Sequence, residues 1–185
     1  LEARIDPSRQ VMHHVFQVAR SQQRKVVFTD GESGRVLRAA QLVAEGGIAK
    51  PVLLGDPEKI RLQAEAMEID VGLYQVVAPG SSPRLAEYAR YYHEARFRRG
   101  MTRSRAEELL ATSAIHMGMM MARSGDAHGV VAGLKVPYHD VIRPALQIIG
   151  LDPSARRVQG MMMLVDKDQT PRFFTDVMVN ELPSS

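Results

Sequence analysis

The sequence predicts an α/β fold, a doubly wound and mostly parallel sheet with helices on both faces. Short apolar runs rich in β-branched residues alternate with segments of helical period along most of the chain. The runs are continuously apolar, which is typical of strands buried on both sides. Hydrophobic residues make up 45% of the 185 residues and charged residues 24%, which excludes disordered and fibrous classes.

The chain begins with a predicted helix and a β-α-β unit. Helical spacing over residues 8–20 predicts an amphipathic helix with Ser8 as its N-cap. Apolar runs at 26–29 and 51–54 predict two strands, and the helical period of 34–45 predicts the helix between them. A parallel pair with a right-handed crossover follows from this order.

The alternation continues and then changes. Further helices are predicted over 57–67, 84–99, 102–111, 114–124 and 140–149, and further strands over 74–77 and 129–133. After the break at 150–153, two apolar runs at 158–165 and 172–179 flank a polar turn and predict adjacent strands.

The domain boundary is predicted near residue 150. We predict a connector helix over 1–22, a first α/β domain over 23–150, and the truncated beginning of a second α/β domain over 151–185. Two strands without covering helices would leave apolar faces exposed, so we expect the native protein to continue past Ser185.

Composition and charge argue against several classes of binding partner. The net charge of +3 is nearly balanced and aromatic residues are only 5%, which argues against nucleic-acid binding. The apolar runs are too short to span a membrane, and the scattered histidines predict no metal site. The absence of cysteine and of a secretory order at the N-terminus favours a cytoplasmic setting.

Turns that follow strands are the candidate sites, because ligands of open α/β sheets bind outside the carboxyl ends of the strands. The first turn contains Asp30 and Gly31 and leads to Arg35. Its glycines would let backbone N–H groups and a helix N-terminus face an anion. An ordinary tight turn is an equally good interpretation, since the spacing matches no nucleotide-binding motif.

The second turn follows the strand at 129–133 and contains Lys135 and Tyr138, with Arg143 close behind. His139 and Asp140 could be an acid–base pair, but no nucleophile accompanies them. Asp140 as an N-cap beside an exposed His139 is the favoured interpretation. Arg143 at a helix start would oppose the helix dipole unless an anion lies near.

Two residue clusters complete the candidates. Five arginines fall within ten positions and predict either a solvated helix face or a site for a phosphorylated ligand; they are Arg96, Arg98, Arg99, Arg103 and Arg105. Arg96 ends a predicted helix, where positive charge is favourable without any ligand. The methionines at 117–121 and 161–163 are expected to fill the core or an interface.

Four segments resemble the phosphate acetyl/butyryl transferase family. They are KVVFTDGESGRVLRAAQLVAEGGIAKPVLLGD (25–56), RFRRGMT (96–102), GMMMARSGDAHGVVAGL (118–134) and RPALQIIG (143–150). The resemblance covers the first half of such a domain and implies an isocitrate/isopropylmalate dehydrogenase-like fold. The Ser-Arg and Asp signature that family enzymes carry in the second half is not in this sequence.

Within the family, the sequence resembles the C-terminal domain of bacterial hybrid malic enzymes in several places. Tyr138 and Arg143 have that branch's spacing, FFTDVMVNELP (173–183) matches it, and residues 1–20 resemble its connector helix. Leu134 to Tyr138 replace the hydroxyl residues of active transferases. The RPALQII segment and Arg96 match the transferase branch instead.

The resemblance implies a regulatory domain that binds acetyl-CoA or a related phosphorylated metabolite and forms a homo-oligomer. Its ligand site would be built from Arg143, Tyr138, Lys135, Arg96 and the first turn. Malate oxidation, with NADP and a divalent metal, would take place in a separate domain, and this chain itself would hold no cofactor. The N-terminal half of an active phosphate acyltransferase is the alternative, and a simple dimerisation module is a third.

Overall fold

The structure is a computed structural model that describes residues 7–166 and 170–175, with side chains from residue 11 onward. The chain divides into two compact units. One is Gln22–Gly150, and the other combines the residues before it with those after it. That residues 151–185 begin a second domain stays a prediction.

The larger unit alternates strands and helices as predicted. Its strands are β1 (Lys25–Phe28), β2 (Lys50–Leu54), β3 (Gln75–Val77) and β4 (Gly129–Val131). Its helices are α2 (Gly34–Glu45), α3 (Pro57–Ala66), α4 (Leu85–Arg96), α5 (Arg103–Thr112), α6 (Ala114–Arg123) and α7 (Tyr138–Ile148), and α1 (Pro7–Gln22) precedes them. All four strands are parallel in the order β3-β2-β1-β4, which confirms the predicted α/β class.

Alternating side chains of the central strands form two hydrophobic cores, one on each face of the sheet. Val27 of β1 and Leu54 of β2 pack with residues of α4, α5, α6 and α7 on one face. Phe28 and Leu53 pack with α2 and α3 on the other. Helices therefore cover both faces of the sheet, which is why its strands are apolar on both sides.

The methionine clusters differ in burial. Met117, Met119, Met120 and Met121 of α6 are buried in the core, as the sequence predicts. Met161 and Met162, outside the larger unit, are 69% and 51% exposed. An interface for these two stays a prediction.

A half-buried carboxylate joins α4 to the turn after α6. Asp126 accepts hydrogen bonds from the Tyr88 hydroxyl and from the Arg84 guanidinium. The Tyr88 side chain is buried, and both its burial and its contact with Asp126 raise its pKa well above the usual range. The contact fixes the start of α4 against the chain that leads into β4.

Three helix boundaries differ from the predictions. The helix predicted over 84–99 ends at Arg96 and continues as a 3₁₀ turn that Gly100 terminates. Helix α7 begins at Tyr138 after Pro137, so the assignment of Asp140 as N-cap is wrong, although His139 is exposed as predicted. Helix α1 already includes Pro7, so Ser8 is not its N-cap.

The described residues of the smaller unit include a strand pair. Strands β5 (Met161–Val165) and β6 (Pro171–Thr175) are adjacent, as predicted, and pair antiparallel; β5 begins at Met161 and not at residue 158. The predicted strand residues 176–179 and the rest of the segment 173–183 lie outside the described residues. None of the described helices is both long and apolar enough to cross a bilayer.

Candidate functional site

A cleft of about 570 Å³ lies across the carboxyl ends of the four strands. Each strand contributes the residues that follow it, and the junction of α5 and α6 closes one side; the lining residues are 29–32, 54–57, 78–81, 111, 112, 114 and 135. The strand order reverses between β1 and β4, and open α/β sheets bind ligands at such a switch point. The cleft is therefore the main candidate site.

Gly31 brings the turns after β1 and β2 into contact. Its backbone N–H donates to the Leu54 carbonyl oxygen at 3.1 Å. A Cβ at this position would lie 2.6 Å from the same oxygen, closer than real Cβ atoms approach a backbone atom. Only glycine fits here without moving one of the turns.

Three carboxylates in the cleft accept hydrogen bonds from backbone N–H groups. Asp30 accepts from the Leu134 N–H at 3.4 Å, and Glu32 accepts from the Asp56 N–H at 3.1 Å. Asp56 caps α3 by accepting from the Glu58 N–H at 2.9 Å. The Asp30 and Glu32 carboxylates hold together the turns that follow β1, β2 and β4.

Lys135 is the only Lys or Arg among the described residues that line this cleft. Its side chain is exposed and has no ion-pair or hydrogen-bond partner in the described part of the chain. Because three carboxylates share the wall, an anionic group of a ligand would be attracted to the Lys135 side rather than to the middle of the cleft.

A smaller cleft of about 370 Å³ lies on the other side of Asp30. Arg35 of α2 is its only cation among the described residues, and the rest of its wall is mostly apolar, formed by Phe28, Val36, Ala39, Val131, Ala132 and Leu134. Such a wall suits the uncharged part of a ligand. The two clefts meet at the β1–β4 switch point.

The structure brings together four of the seven predicted site residues. Asp30, Gly31 and Lys135 line the larger cleft, and Asp30 and Arg35 line the smaller one. Three others, Tyr138, Arg143 and Arg96, line neither cleft. Their role in ligand binding stays a prediction.

The two arginines outside the clefts lie on helices that contact each other. The Tyr92 hydroxyl of α4 donates to Gln147 Oε1 of α7 at 3.0 Å. Arg96 follows Tyr92 by one helical turn, and Arg143 precedes Gln147 by one turn, so each shares a helix face with the bonded residue. Arg143 lies within α7 and not at its start, so the argument that it opposes the helix dipole is wrong.

Several cleft residues are not among the predicted site residues. Glu32, Asp56 and Ser81 follow predicted strands, so the rule that carboxyl ends share an edge could have found them. Thr112 could not be found this way, because it enters from the α5–α6 junction.

A histidine, His116, lies in the first turn of α6, close in sequence to the wall residues Thr112 and Ala114. His116 Nδ1 is 2.8 Å from Ser113 Oγ, and Ser113 caps the helix by accepting from the His116 N–H at 3.4 Å. Burial lowers the pKa of His116, and the positive charge of Arg105 lowers it further.

Acidification is expected to destabilise the fold through His116. Its folded-state pKa lies below the ordinary value of 6.5, so the unfolded chain binds the proton more tightly. The contribution of His116 to stability is therefore complete at pH values above 6.5 and is lost as the pH falls through the folded-state pKa. We expect urea unfolding to show that the free energy of unfolding falls less between about pH 7.5 and about pH 5.5 in His116→Gln than in the wild type. An equal loss in both proteins would contradict this assignment.

Comparison with known proteins gives relatives of two kinds. A family model described as phosphate acetyl/butaryl transferase matches residues 10–185. The phosphate acetyltransferase of Thermoanaerobacterium thermosaccharolyticum is 32% identical over 154 residues, which are 83% of this chain and 46% of the relative. The NADP-dependent malic enzyme of Escherichia coli is 30% identical over 178 residues, which are 94% of this chain and 23% of the relative.

The solved structures agree with the fold. A phosphotransacetylase from Streptococcus pyogenes matches with a TM-score of 0.87 and 25% sequence identity, over 95% of this chain and 53% of that one. The chain spans about half the length of these two transferases and about a quarter of the length of the malic enzyme. With the family model matching nearly its whole length, the chain belongs to the phosphate acetyl/butyryl transferase family.

Proposed function

We propose that this chain is a phosphotransacetylase-like regulatory domain of an NADP-dependent malic enzyme and that its switch-point clefts bind acetyl-CoA. The observation that carries this proposal is the pair of clefts that meet at Asp30, one with a free lysine and the other with an apolar wall. Both lie at the ligand-binding edge of an open α/β sheet.

The two clefts match the chemistry of an acyl-CoA. The ligand has a phosphorylated nucleotide at one end and a long uncharged arm that ends in the acyl thioester. Lys135 and Arg35 offer positive charge to phosphate oxygens. The apolar wall beside Arg35 offers a surface for the uncharged arm.

Two features favour regulation over catalysis. Among the described residues that line the larger cleft, none is a cysteine that could act as a nucleophile or a histidine that could act as a general base. The loop after β4 carries Leu134 and Lys135 where the sequence of active transferases would have hydroxyl residues. The malic enzyme of Escherichia coli is also similar over 94% of this chain.

Regulation at a distance sets a thermodynamic requirement. Acetyl-CoA can restrain malate oxidation only if it binds one conformation or assembly of the enzyme more tightly than another. We propose a homo-oligomer in the cytoplasm as the setting for this coupling. NADP and the divalent metal would bind in the separate catalytic domain.

Lys135→Gln is expected to weaken acetyl-CoA binding about tenfold, because it removes the only positive charge among the described residues lining the larger cleft. Calorimetry on the wild type and the variant measures the change. Arg38→Gln, which removes an exposed charge from α2 outside both clefts, is the matched control. Equal affinity in wild type and Lys135→Gln would remove Lys135 from the site, and no acetyl-CoA binding by the wild type would overturn the proposal.

An active phosphate acyltransferase is the second candidate, favoured by a phosphate acetyltransferase relative that is 32% identical and by the TM-score of 0.87 with a phosphotransacetylase. Such an enzyme exchanges an acyl group between CoA and phosphate. CoA-dependent formation of acetyl phosphate by the full-length protein separates the two candidates. Robust turnover would contradict the regulatory proposal.

A further inference from the structure

A single residue, Ser113, connects α5 to α6. Its backbone N–H donates to the Leu109 carbonyl oxygen of α5 at 3.0 Å, and its own carbonyl oxygen accepts from the Met117 N–H of α6 at 3.0 Å. The residues on either side of it, Thr112 and Ala114, line the larger cleft. The backbone of Ser113 therefore sets how α5 meets α6 and, with it, the position of this wall of the cleft.

The side chain of Ser113 is held by a histidine. Its Oγ accepts a hydrogen bond from the backbone N–H of His116 at 3.4 Å and lies 2.8 Å from Nδ1 of the same residue. The imidazole also lies beside Tyr92 of α4, with 6.3 Å between the ring centres. Tyr92 is fully buried and donates to Gln147 of α7. While the imidazole stays in this position, it links Ser113 to the packed helices.

A proton on this imidazole would meet no compensating charge. Burial lowers the pKa of His116, and the positive charge of Arg105 on α5 lowers it further. Glu108 pairs with Arg105 at 2.9 Å, but in the described part of the chain no carboxylate raises the pKa of His116. From α4 the neighbour is Tyr92, a neutral phenol whose pKa burial raises. The first turn of α6 also disfavours a cation, because the helix dipole is positive there.

We propose that the connection between α5 and α6 is a pH-sensitive hinge, in which protonation of His116 releases Ser113 and loosens the adjoining wall of the larger cleft. The neutral imidazole is stable in its present position. A protonated imidazole gains solvation by turning out to water, and this gain favours a second conformation in which Ser113 is no longer restrained. The inference rests on the proposed function in one respect, that acetyl-CoA is the ligand which the loosened wall would release.

Amide hydrogen exchange in the 185-residue chain tests the hinge without any ligand. The amides to follow are those of Ser113 and Met117, which are bonded on either side of the hinge. Once the exchange rates are corrected for pH, the protection of both amides is expected to fall at least about fivefold between about pH 7.5 and about pH 5.5. His116→Gln, which cannot take up the proton, is expected to keep the same protection at both pH values.

His128→Gln is the matched control, because it removes a histidine that lines neither cleft. This variant is expected to lose protection in acid as the wild type does. Protection that stays constant in the wild type, or that falls equally in the wild type and His116→Gln, would overturn the inference.

Acetyl-CoA binding gives a second readout. Calorimetry at the same two pH values is expected to show that acidification raises the dissociation constant at least about fivefold more in the wild type than in His116→Gln. The phosphates of acetyl-CoA also take up protons in this range, but that effect is common to both proteins. An equal pH dependence of the two proteins would show that the hinge does not control the cleft. Absence of binding at about pH 7.5 would contradict the proposed function, and hydrogen exchange would still decide whether the hinge exists.

Discussion

Gly31→Ala is expected to lower the free energy of unfolding by about 1–3 kcal/mol, because the new methyl group has no room. Its carbon would lie 2.6 Å from the Leu54 carbonyl oxygen and 3.1 Å from the Leu53 side chain. Those are backbone and core atoms, which cannot move aside as a flexible side chain can. The N–H that Gly31 donates to Leu54 would have to lengthen when the turns separate. Urea unfolding measures the loss.

Gly129→Ala is the matched control for this change. Gly129 begins β4, and nothing lies within 4 Å of a Cβ built at this position. The free energy of unfolding of Gly129→Ala is expected to lie within about 0.5 kcal/mol of the wild-type value. Since Gly31 also lines the larger cleft, we expect the acetyl-CoA binding proposed above to be weaker in folded Gly31→Ala than in the wild type. Equal stability of the two variants would show that the turn after β1 can relax.

Asp126→Ala is expected to lower the free energy of unfolding by about 1–3 kcal/mol, because it leaves the buried Tyr88 hydroxyl without an acceptor. Tyr88 is 3% exposed with Asp126 in place, and its hydroxyl has no other acceptor among the described residues. Arg84, the second donor, is partly exposed and can turn to water or stay with Glu87. Most of the loss should therefore come through Tyr88.

A double-mutant cycle checks that assignment. Tyr88→Phe removes the hydroxyl, so Asp126→Ala should lower the free energy of unfolding much less in the Tyr88→Phe background than in the wild type. Glu107→Ala, which truncates an exposed carboxylate on α5, is expected to be nearly neutral in both backgrounds. Additive losses for Asp126→Ala and Tyr88→Phe would mean that the contact contributes little.

The repeating pattern of the sequence was enough to predict the fold. Each strand of the parallel sheet is a short apolar run bounded by turn residues, and α2 has the predicted bounds because Gly34 and Gly46 mark its ends. Boundaries were wrong where local signals compete with packing. Asp140 has N-cap chemistry, but the fixed backbone of Pro137 already starts α7 three residues earlier.

Site residues could be predicted from the sequence only where they directly follow a strand. Asp30 and Gly31 follow β1 directly, and the rule for open sheets places them at the ligand edge. Which distant segment closes the cleft depends on how α5 meets α6, and no local pattern encodes that meeting. The hydrogen bond between Asp30 and Leu134 likewise joins residues more than 100 positions apart. Such contacts follow from tertiary packing alone.

The position of β4 beside β1 has a consequence for the order of folding. Val27 pairs with Val52 across one helix, but it pairs with Val130 only after the chain has formed β2, β3 and five helices. Bringing together residues so far apart in sequence has a larger entropic cost, which slows the step. We therefore expect β1, β2 and β3 to assemble first and β4 to join them late, so both ligand clefts are completed by the last strand to dock.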